Sequence, residues 1–222
     1  MIRVVSLVPS VTETLLSWGI SPVACTRFCE QPALRHVGGT KDPDIDAIVE
    51  LGPDLVVVDE EENRLPDAEA LLAAGLTLHA MAVRSVADVA PALGRLAAAV
   101  GAVAPTVDFG APHATTGRRV SVLIWRRPWM ALGCDTYGAS VLTHLGYTVV
   151  APGSGRYPTI DLGDLAGADE ILLPTEPYAF TQRHVAEVSA AVPGAAVRLV
   201  DGKDLFWWGT RTAGALGRLA TE

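Results

Sequence analysis

The sequence predicts an α/β protein built as two Rossmann-like lobes with parallel sheets, joined by a single, shortened or broken connection, with a ligand cleft between the lobes. Three observations predict it. Strand-like and helix-like segments alternate along most of the chain. The alternation stops at residues 101–118, GAVAPTVDFGAPHATTGR, where Pro105, Gly110 and Pro112 break any periodicity. It then resumes, and the second half repeats the first: DIDAIVELGPDLVVV (44–58) lies over TIDLGDLAGADEILL (159–173) without a gap. The predicted boundaries are 1–98 for the first lobe, 99–118 for the linker and 119–222 for the second lobe.

The elements follow in order. IRVVSLV reads as a buried strand, and Ser10-x-x-Glu13 as a capping box opening a helix that Gly19 closes. Asp42-Pro43 is expected to open the next helix, with Pro43 in its first turn and its end at Gly52-Pro53. DLVVVD, apolar between its terminal acids, is a strand buried on both faces. A helix from Pro66, the strand LTLHAMA and a helix from Ser85-x-x-Asp88 to about Val100 complete the first half. The second half reads VSVLIW as strand, YGASVLTHLG as helix, YTVV as strand and DLGDLAGA as short helix. EILL, TQRHVAEVSAAV, VRLV and TRTAGALGRLA then give strand, helix, strand and helix.

The 222 residues suffice for two small lobes, and half of them are apolar. The formal net charge of −8 argues against a nucleic-acid partner, which needs a clustered basic face. No apolar run reaches the ~20 residues of a membrane helix, so no membrane insertion is expected. The N-terminal apolar run stops at Pro9 and does not read as a signal peptide, so the expected location is cytoplasmic, or extracytoplasmic if translation starts upstream. Cys25, Cys29 and Cys134 suit reduced thiols, and neither they nor the scattered histidines have a metal-site spacing.

The nucleophile elbow, Walker loop and dinucleotide glycine pattern are absent, so no catalytic residue is assigned. What is enriched is rings and arginines in loops beside predicted strands, at the edge where open α/β sheets take ligands. IWRRPW brings Trp125, Arg126 and Trp129; GRYP brings Tyr157; TEPYAF brings Tyr178 and Phe180; LFWWGTRT brings Trp207, Trp208 and Arg211. The first half offers Phe28, then Thr40 and Lys41, then Glu61 and Asn63 within EEENR. Rings cover a flat apolar ligand at low entropy cost, and guanidinium groups add charge recognition. These fourteen positions form the candidate ligand-binding set, each weighed against plain packing or a solvated helix start.

VSLVPSVTETL, RFCEQP and VGGTKDPDIDAIVELGPDLVVVDEEENR resemble the N-terminal lobe of the helical-backbone solute-binding proteins of ABC importers, the cobalamin, haem and iron-siderophore receptors. IWRRPWMALGCDTY, GRYPTIDLGDL, EPYAFTQRH and LFWWGTRT resemble the C-terminal lobe of a cobalamin-binding-like subgroup. The resemblance covers nearly the whole chain and is strongest over 37–64 and 123–137. It implies a non-catalytic binding protein that needs no cofactor. Its ligand would be a large metal chelate, corrinoid first and haem or ferric siderophore next. Phe28 and Thr40 fall in the family's first-lobe ligand loops; Trp129, Tyr157 and the Trp207–Arg211 segment fall in its second-lobe loops. An importer permease is the implied partner, with Glu69 and Asp164 the nearest candidates for docking acids. The linker prolines depart from the family's long bridging helix, and 101–118 is expected to contain none. The competing readings are an enzyme using Glu60–Glu62, Tyr157 or Glu176 as acid–base groups, and an interaction or sensor module that has lost its ligand. For the tryptophan pair the expectation is a split: one ring buried in the C-terminal lobe, the other opening beside Trp129, Tyr157 and Arg211.

Overall fold

A computed structural model describes residues 2–221. Its contacts group into two compact units: residues 2–83, 87–107 and 208–210, and residues 84–86, 108–207 and 211–221. Beyond the crossing in the linker, short exchanges at 84–86 and 208–210 thus interrupt an otherwise sequential division.

The first unit holds β1 (Val4–Ser6), α1 (Pro9–Ser17), β2 (Ala24–Cys25), β3 (Arg35–His36) and α2 (Ile45–Leu51). It continues with β4 (Leu55–Asp59), α3 (Leu65–Ala73), β5 (Leu78–Met81) and α4 (Val86–Val100), of which Val86 groups with the second unit. All its strand pairings are parallel, in the order β3-β2-β1-β4-β5. β1 and β4 are buried along their whole length, as their apolar runs require. Val5, Val56, Val58, Ile48 and Leu71 pack into one core.

The second unit holds β6 (Arg119–Trp125), β7 (Met130–Ala131), α5 (Tyr137–His144), β8 (Thr148–Val149) and β9 (Glu170–Pro174). α6 (Gln182–Ala191), β10 (Ala196–Val200), α7 (Gly202–Phe206) and α8 (Thr212–Leu219) follow. β10-β9-β6 are parallel, and on the other side of β6 the parallel β8 pairs its start and the antiparallel β7 its end.

The two sheets share a plan. β8-β6-β9-β10 matches β2-β1-β4-β5, and in each the strand order reverses direction beside the first strand. The aligned repeat lands on equivalent parts: β4 begins at Leu55 and β9 at Glu170, each preceded by an aspartate. Asp54 Oδ2 accepts the Arg3 N–H at 2.7 Å, and Asp169 Oδ2 accepts the Arg119 N–H at 2.7 Å.

Several local expectations are corrected. Ser10 does not cap α1: the helix begins at Pro9, Val8 precedes it without a side-chain cap, and Ser10 lies buried within the helix. Pro9 already has the φ of a first helical residue and no N–H to satisfy, so the start needs no hydroxyl. Pro43 is not in the first turn of α2; Asp44 is the N-cap, its Oδ1 accepting from Ala47 N at 3.0 Å. Four short elements, β2, β3, β7 and α7, carry too few residues to show a period and escaped the sequence reading. Residues 102–118 contain no helix. Their later part is tied to the end of α5 instead, through His113 N to His144 O at 2.8 Å and Thr116 N to Gly146 O at 2.9 Å.

Candidate functional site

In an open parallel sheet the ligand crevice forms outside the carboxyl ends of the strands, where the order reverses. In the first unit that place lies between β1 and β4. One side chain organises it. Asn63 Nδ2 donates to Leu7 O at 3.3 Å and Thr40 O at 2.9 Å, while its Oδ1 accepts from Asp59 N at 2.8 Å. The loops after β1, β3 and β4 are thereby stitched together by a residue that is itself buried. Thr40 is buried too, and its carbonyl faces inward to Asn63, so both serve as framework beneath the surface. Lys41 is exposed and donates its Nζ to the Glu61 carbonyl. Phe28 is half exposed, with the Arg27 guanidinium 4.8 Å from its ring centre and Arg27 paired to Asp42 at 3.0 Å.

The acid that matters most here is Asp59, the last residue of β4, which the sequence reading passed over. It is 4% exposed. Its Oδ1 accepts from Glu61 N at 2.8 Å and Glu62 N at 3.3 Å, while Oδ2 is buried with no hydrogen-bond partner among the described residues. Burial raises its pKa to about 7; the Glu62 and Glu61 charges push the same way, and the two backbone N–H groups resist. Burial raises Glu62 as well, with Lys41 opposing. A fully buried apolar strand that ends in a carboxylate was the available signal.

In the second unit the order reverses between β6 and β9, and the loops after those strands bring five of the candidate residues together. Trp125 meets Tyr178 edge-on at 5.4 Å. Tyr178 leans on Phe180 at 4.8 Å, and Phe180 stacks on Trp129 at 6.2 Å with 2° between planes. The Arg126 guanidinium lies 5.6 Å from the Trp129 ring centre and is held there by two bonds to Glu187 on α6, at 3.1 and 2.9 Å. That pairing holds the Glu187 carboxyl below its usual range. The peptides Arg127–Pro128 and Glu176–Pro177 are cis, one in each of these loops. His184 completes the cluster from α6, its Nδ1 accepting the Thr181 N–H at 2.9 Å and its ring edge-on to Tyr178 and Phe180.

Phe180 is a correction: at 3% exposure it belongs to the core with Leu123, Ile171 and Val188, and it offers no free face to a ligand. Trp125 and Tyr157 are exposed, and Trp129 and Tyr178 half-buried. Tyr157 sits on a segment that runs beside β7, with Ala131 N bonded to Pro158 O and Ile160 N to Trp129 O, both at 3.0 Å.

The tryptophan pair is split. Trp207 is half-buried between two cations, Lys203 Nζ at 4.9 Å and Arg211 Cζ at 5.5 Å from its ring centre. Arg211 is fixed in turn by Asp204, a 1% exposed carboxylate that also takes both Nε and NH2 of Arg218 at 2.7 Å. Arg218, then Arg211, hold its pKa down against burial. Trp208 is the buried ring, at 5% exposure. The expectation that the buried ring belongs to the C-terminal lobe is corrected: Trp208, Gly209 and Thr210 group with the first unit. Gly209 makes this possible, since a Cβ there would collide with the Thr14 hydroxyl of α1 and its φ of +132° is one that side chains avoid. Thr210 N then bonds to Thr14 Oγ1 at 3.4 Å. Lys203, which flanks the Trp207 ring, also lines an open depression of about 540 Å³ with Thr175, Leu199, Val200 and Asp201.

Of the two suggested docking acids, Glu69 is exposed on α3, while the Asp164 carboxylate accepts the Asp161 N–H at 2.9 Å as part of a capping box. No group of three or more His, Cys, Asp or Glu side chains among the described residues is placed to hold a metal ion. None of the described helices is long and apolar enough to cross a membrane.

No protein-family model matches the chain, and a comparison with curated sequences finds no match. Solved structures do match over nearly its full length. The periplasmic vitamin B12-binding protein BtuF of Vibrio cholerae aligns with TM-score 0.77 and 18% identity, over 99% of this chain and 95% of that one. The periplasmic haem-binding protein BhuT, solved with two haems, aligns with TM-score 0.78 and 20% identity, over 99% and 97%. IsdE of S. aureus, solved with haem, aligns with TM-score 0.74 and 13% identity, over 100% and 98%. The chain has the fold of these metal-chelate-binding proteins.

Proposed function

We propose that the protein is a non-catalytic solute-binding protein for a large, flat, metal-containing ligand, with a corrinoid as first choice and haem or a ferric chelate next. The observation that carries this reading is the ring-and-guanidinium surface after β6 and β9. Trp125 and Tyr178 meet edge-on, and Arg126 is locked over Trp129 by Glu187. Rings already held by neighbours lose little freedom on binding, and a guanidinium oriented by a carboxylate is preorganised. Such a surface favours flat contact with a macrocycle plus charge recognition at the rim. A corrinoid ranks first because IWRRPWMALGCDTY, GRYPTIDLGDL, EPYAFTQRH and LFWWGTRT resemble the C-terminal lobe of a cobalamin-binding-like subgroup. The ligands named for BtuF, BhuT and IsdE support the same class.

Titration with hydroxocobalamin, and separately with haemin, followed by gel filtration with detection in the visible, tests it. Co-elution of the coloured ligand with the protein at one equivalent is expected for the true ligand class. Failure of both compounds, and of a ferric siderophore, to co-elute defeats the reading. Transfer to an importer permease through the exposed Glu69 belongs to this proposal, with a cytoplasmic location, which would preclude that transfer, as its alternative. Fractionation of cells producing the native gene tests the location.

A further inference from the structure

Arg127 stands in the short link between β6 and β7, between Trp125 and Trp129, and no role has been assigned to it above. It is exposed, and its side chain makes no hydrogen bond or ion pair among the described residues. Its neighbour Arg126 is already committed: both its side-chain bonds go to Glu187, and its guanidinium lies 5.6 Å from the Trp129 ring centre. The charge of Arg127 also reaches Glu187 and helps to hold that carboxyl below its usual range. Arg183 of α6 is exposed too, with its Nε 3.3 Å from His184 Nε2. Three guanidinium groups thus share this corner with the Glu187 carboxylate, a local cationic excess on a chain of formal net charge −8. Glu176, in the loop after β9, packs against Gly202 at the start of α7.

The backbone singles out Arg127 as well. Its φ is +75°, in the left-handed region where a side chain is disfavoured and glycine would sit without strain. Strain of that kind persists where the surroundings impose it, and it gathers at ligand sites.

We propose, on the binding role given above, that Arg127 is a specificity-determining residue of the ring surface and reads an anionic group, carboxylate or phosphate, at the rim of the flat ligand. The reason is what each arginine has left to offer. Arg126 gives its fork to Glu187, so that pair is neutral and presents a flat face over Trp129. The N–H donors of Arg127 are free, and a guanidinium takes two oxygens of a carboxylate or phosphate side by side. The exposed Trp125 ring and the half-buried Tyr178 and Trp129 supply the flat contact. A macrocycle seated on them brings its peripheral substituents to the link that carries Arg127, and the cationic excess draws an acid there.

The test measures dissociation constants by visible titration for two matched pairs of probes. One pair is haemin and its dimethyl ester, which lacks the free carboxylates; the other is hydroxocobalamin and cobinamide, which lacks the phosphate of the nucleotide loop. The protein is expected to prefer the acidic member of the pair it binds by roughly tenfold or more. Raising the salt concentration should shrink that preference. A preference within the haemin pair assigns a carboxylate, and one within the cobalamin pair a phosphate. Arg127→Gly is expected to melt no lower than the native chain, because glycine adopts φ +75° freely, yet to lose the preference. Arg127→Gln, long but uncharged, should lose it too. Equal affinity for both members of the bound pair overturns the proposal and leaves the binding role standing. A preference that survives in both variants, or an equal weakening of both members, does the same. Failure of all four probes also overturns it, and if a ferric siderophore fails as well, the binding role falls with it.

Discussion

Asp54 grips Arg3 through the backbone: its Oδ2 accepts the Arg3 N–H at 2.7 Å while its own N–H donates to Arg3 O at 2.8 Å. Asp169 and Arg119 repeat both bonds in the second unit, at 2.7 and 2.8 Å. Each aspartate thus anchors the start of the first strand of its unit to the start of the neighbouring central strand. Asp54→Ala and Asp169→Ala are each expected to cost about 1 kcal/mol, a modest charge-assisted bond at an exposed end. Because the two share no partner, the double variant should show their sum. Urea titrations of the three variants check this; strong coupling would contradict independent anchors.

Asp59 makes stability depend on pH in an unusual direction. Its carboxyl is raised to about 7 in the folded chain from an ordinary 3.8. Below the lower value both states are protonated and nothing is lost. Between the two the unfolded chain releases its proton while the folded chain holds it, so stability falls as pH rises, by about 1.4 kcal/mol per unit at most. Above about 7 the loss is complete. Asp59→Asn keeps an acceptor for Glu61 N and Glu62 N but cannot titrate, so its stability profile from pH 4 to 8 should lack this slope. Matched urea titrations of both proteins across that range decide it.

Asn63 joins three loops with three bonds, and removing it leaves the Leu7 and Thr40 carbonyls and the Asp59 N–H without it. Asn63→Ala is expected to cost about 2–4 kcal/mol, the upper end of what buried polar groups lose when their partner is deleted. Asn63→Asp should be at least as damaging, since a carboxylate would face two carbonyls beside Asp59. Thermal unfolding of both variants is the measurement.

The two adjacent tryptophans should behave differently. Trp208→Ala removes a buried ring and is expected to cost about 3–5 kcal/mol. Trp207→Ala removes a half-buried ring flanked by Lys203 and Arg211 and should cost far less stability. If it serves the proposed ligand, it should weaken hydroxocobalamin or haemin binding by about 2 kcal/mol. Melting temperature and visible titration of the two variants separate the roles, and equal destabilisation with unchanged affinity would leave Trp207 a packing residue.

Arg126 is expected to need Glu187. Glu187→Gln leaves a hydrogen-bond acceptor but removes the charge that orients the guanidinium over Trp129. If the ring surface binds the ligand, this variant should weaken binding several-fold at unchanged melting temperature. An unchanged affinity would remove Arg126 from the site.

The sequence by itself determined the alternation of elements, the break at 101–118 and the repeat, because these are written in local periods and in glycines and prolines that act on their own neighbours. It also placed rings in the loops after β6 and β9, since strand ends are legible. Only the tertiary structure decided what each side chain does there. Phe180 and Tyr178 stand two residues apart in one loop, yet one is core and the other half-open, because Phe180 lies inside the cluster of Leu123, Ile171 and Val188 while Tyr178 only packs against it. Asn63 and Thr40 read as ligand-loop residues, and became framework because three strands end together around them. Glu187 lies 61 positions from Arg126, and Asp59 gained its raised pKa from burial at the end of a central strand. Partnership and desolvation depend on what other segments bring to the same place, and no local window of sequence contains that.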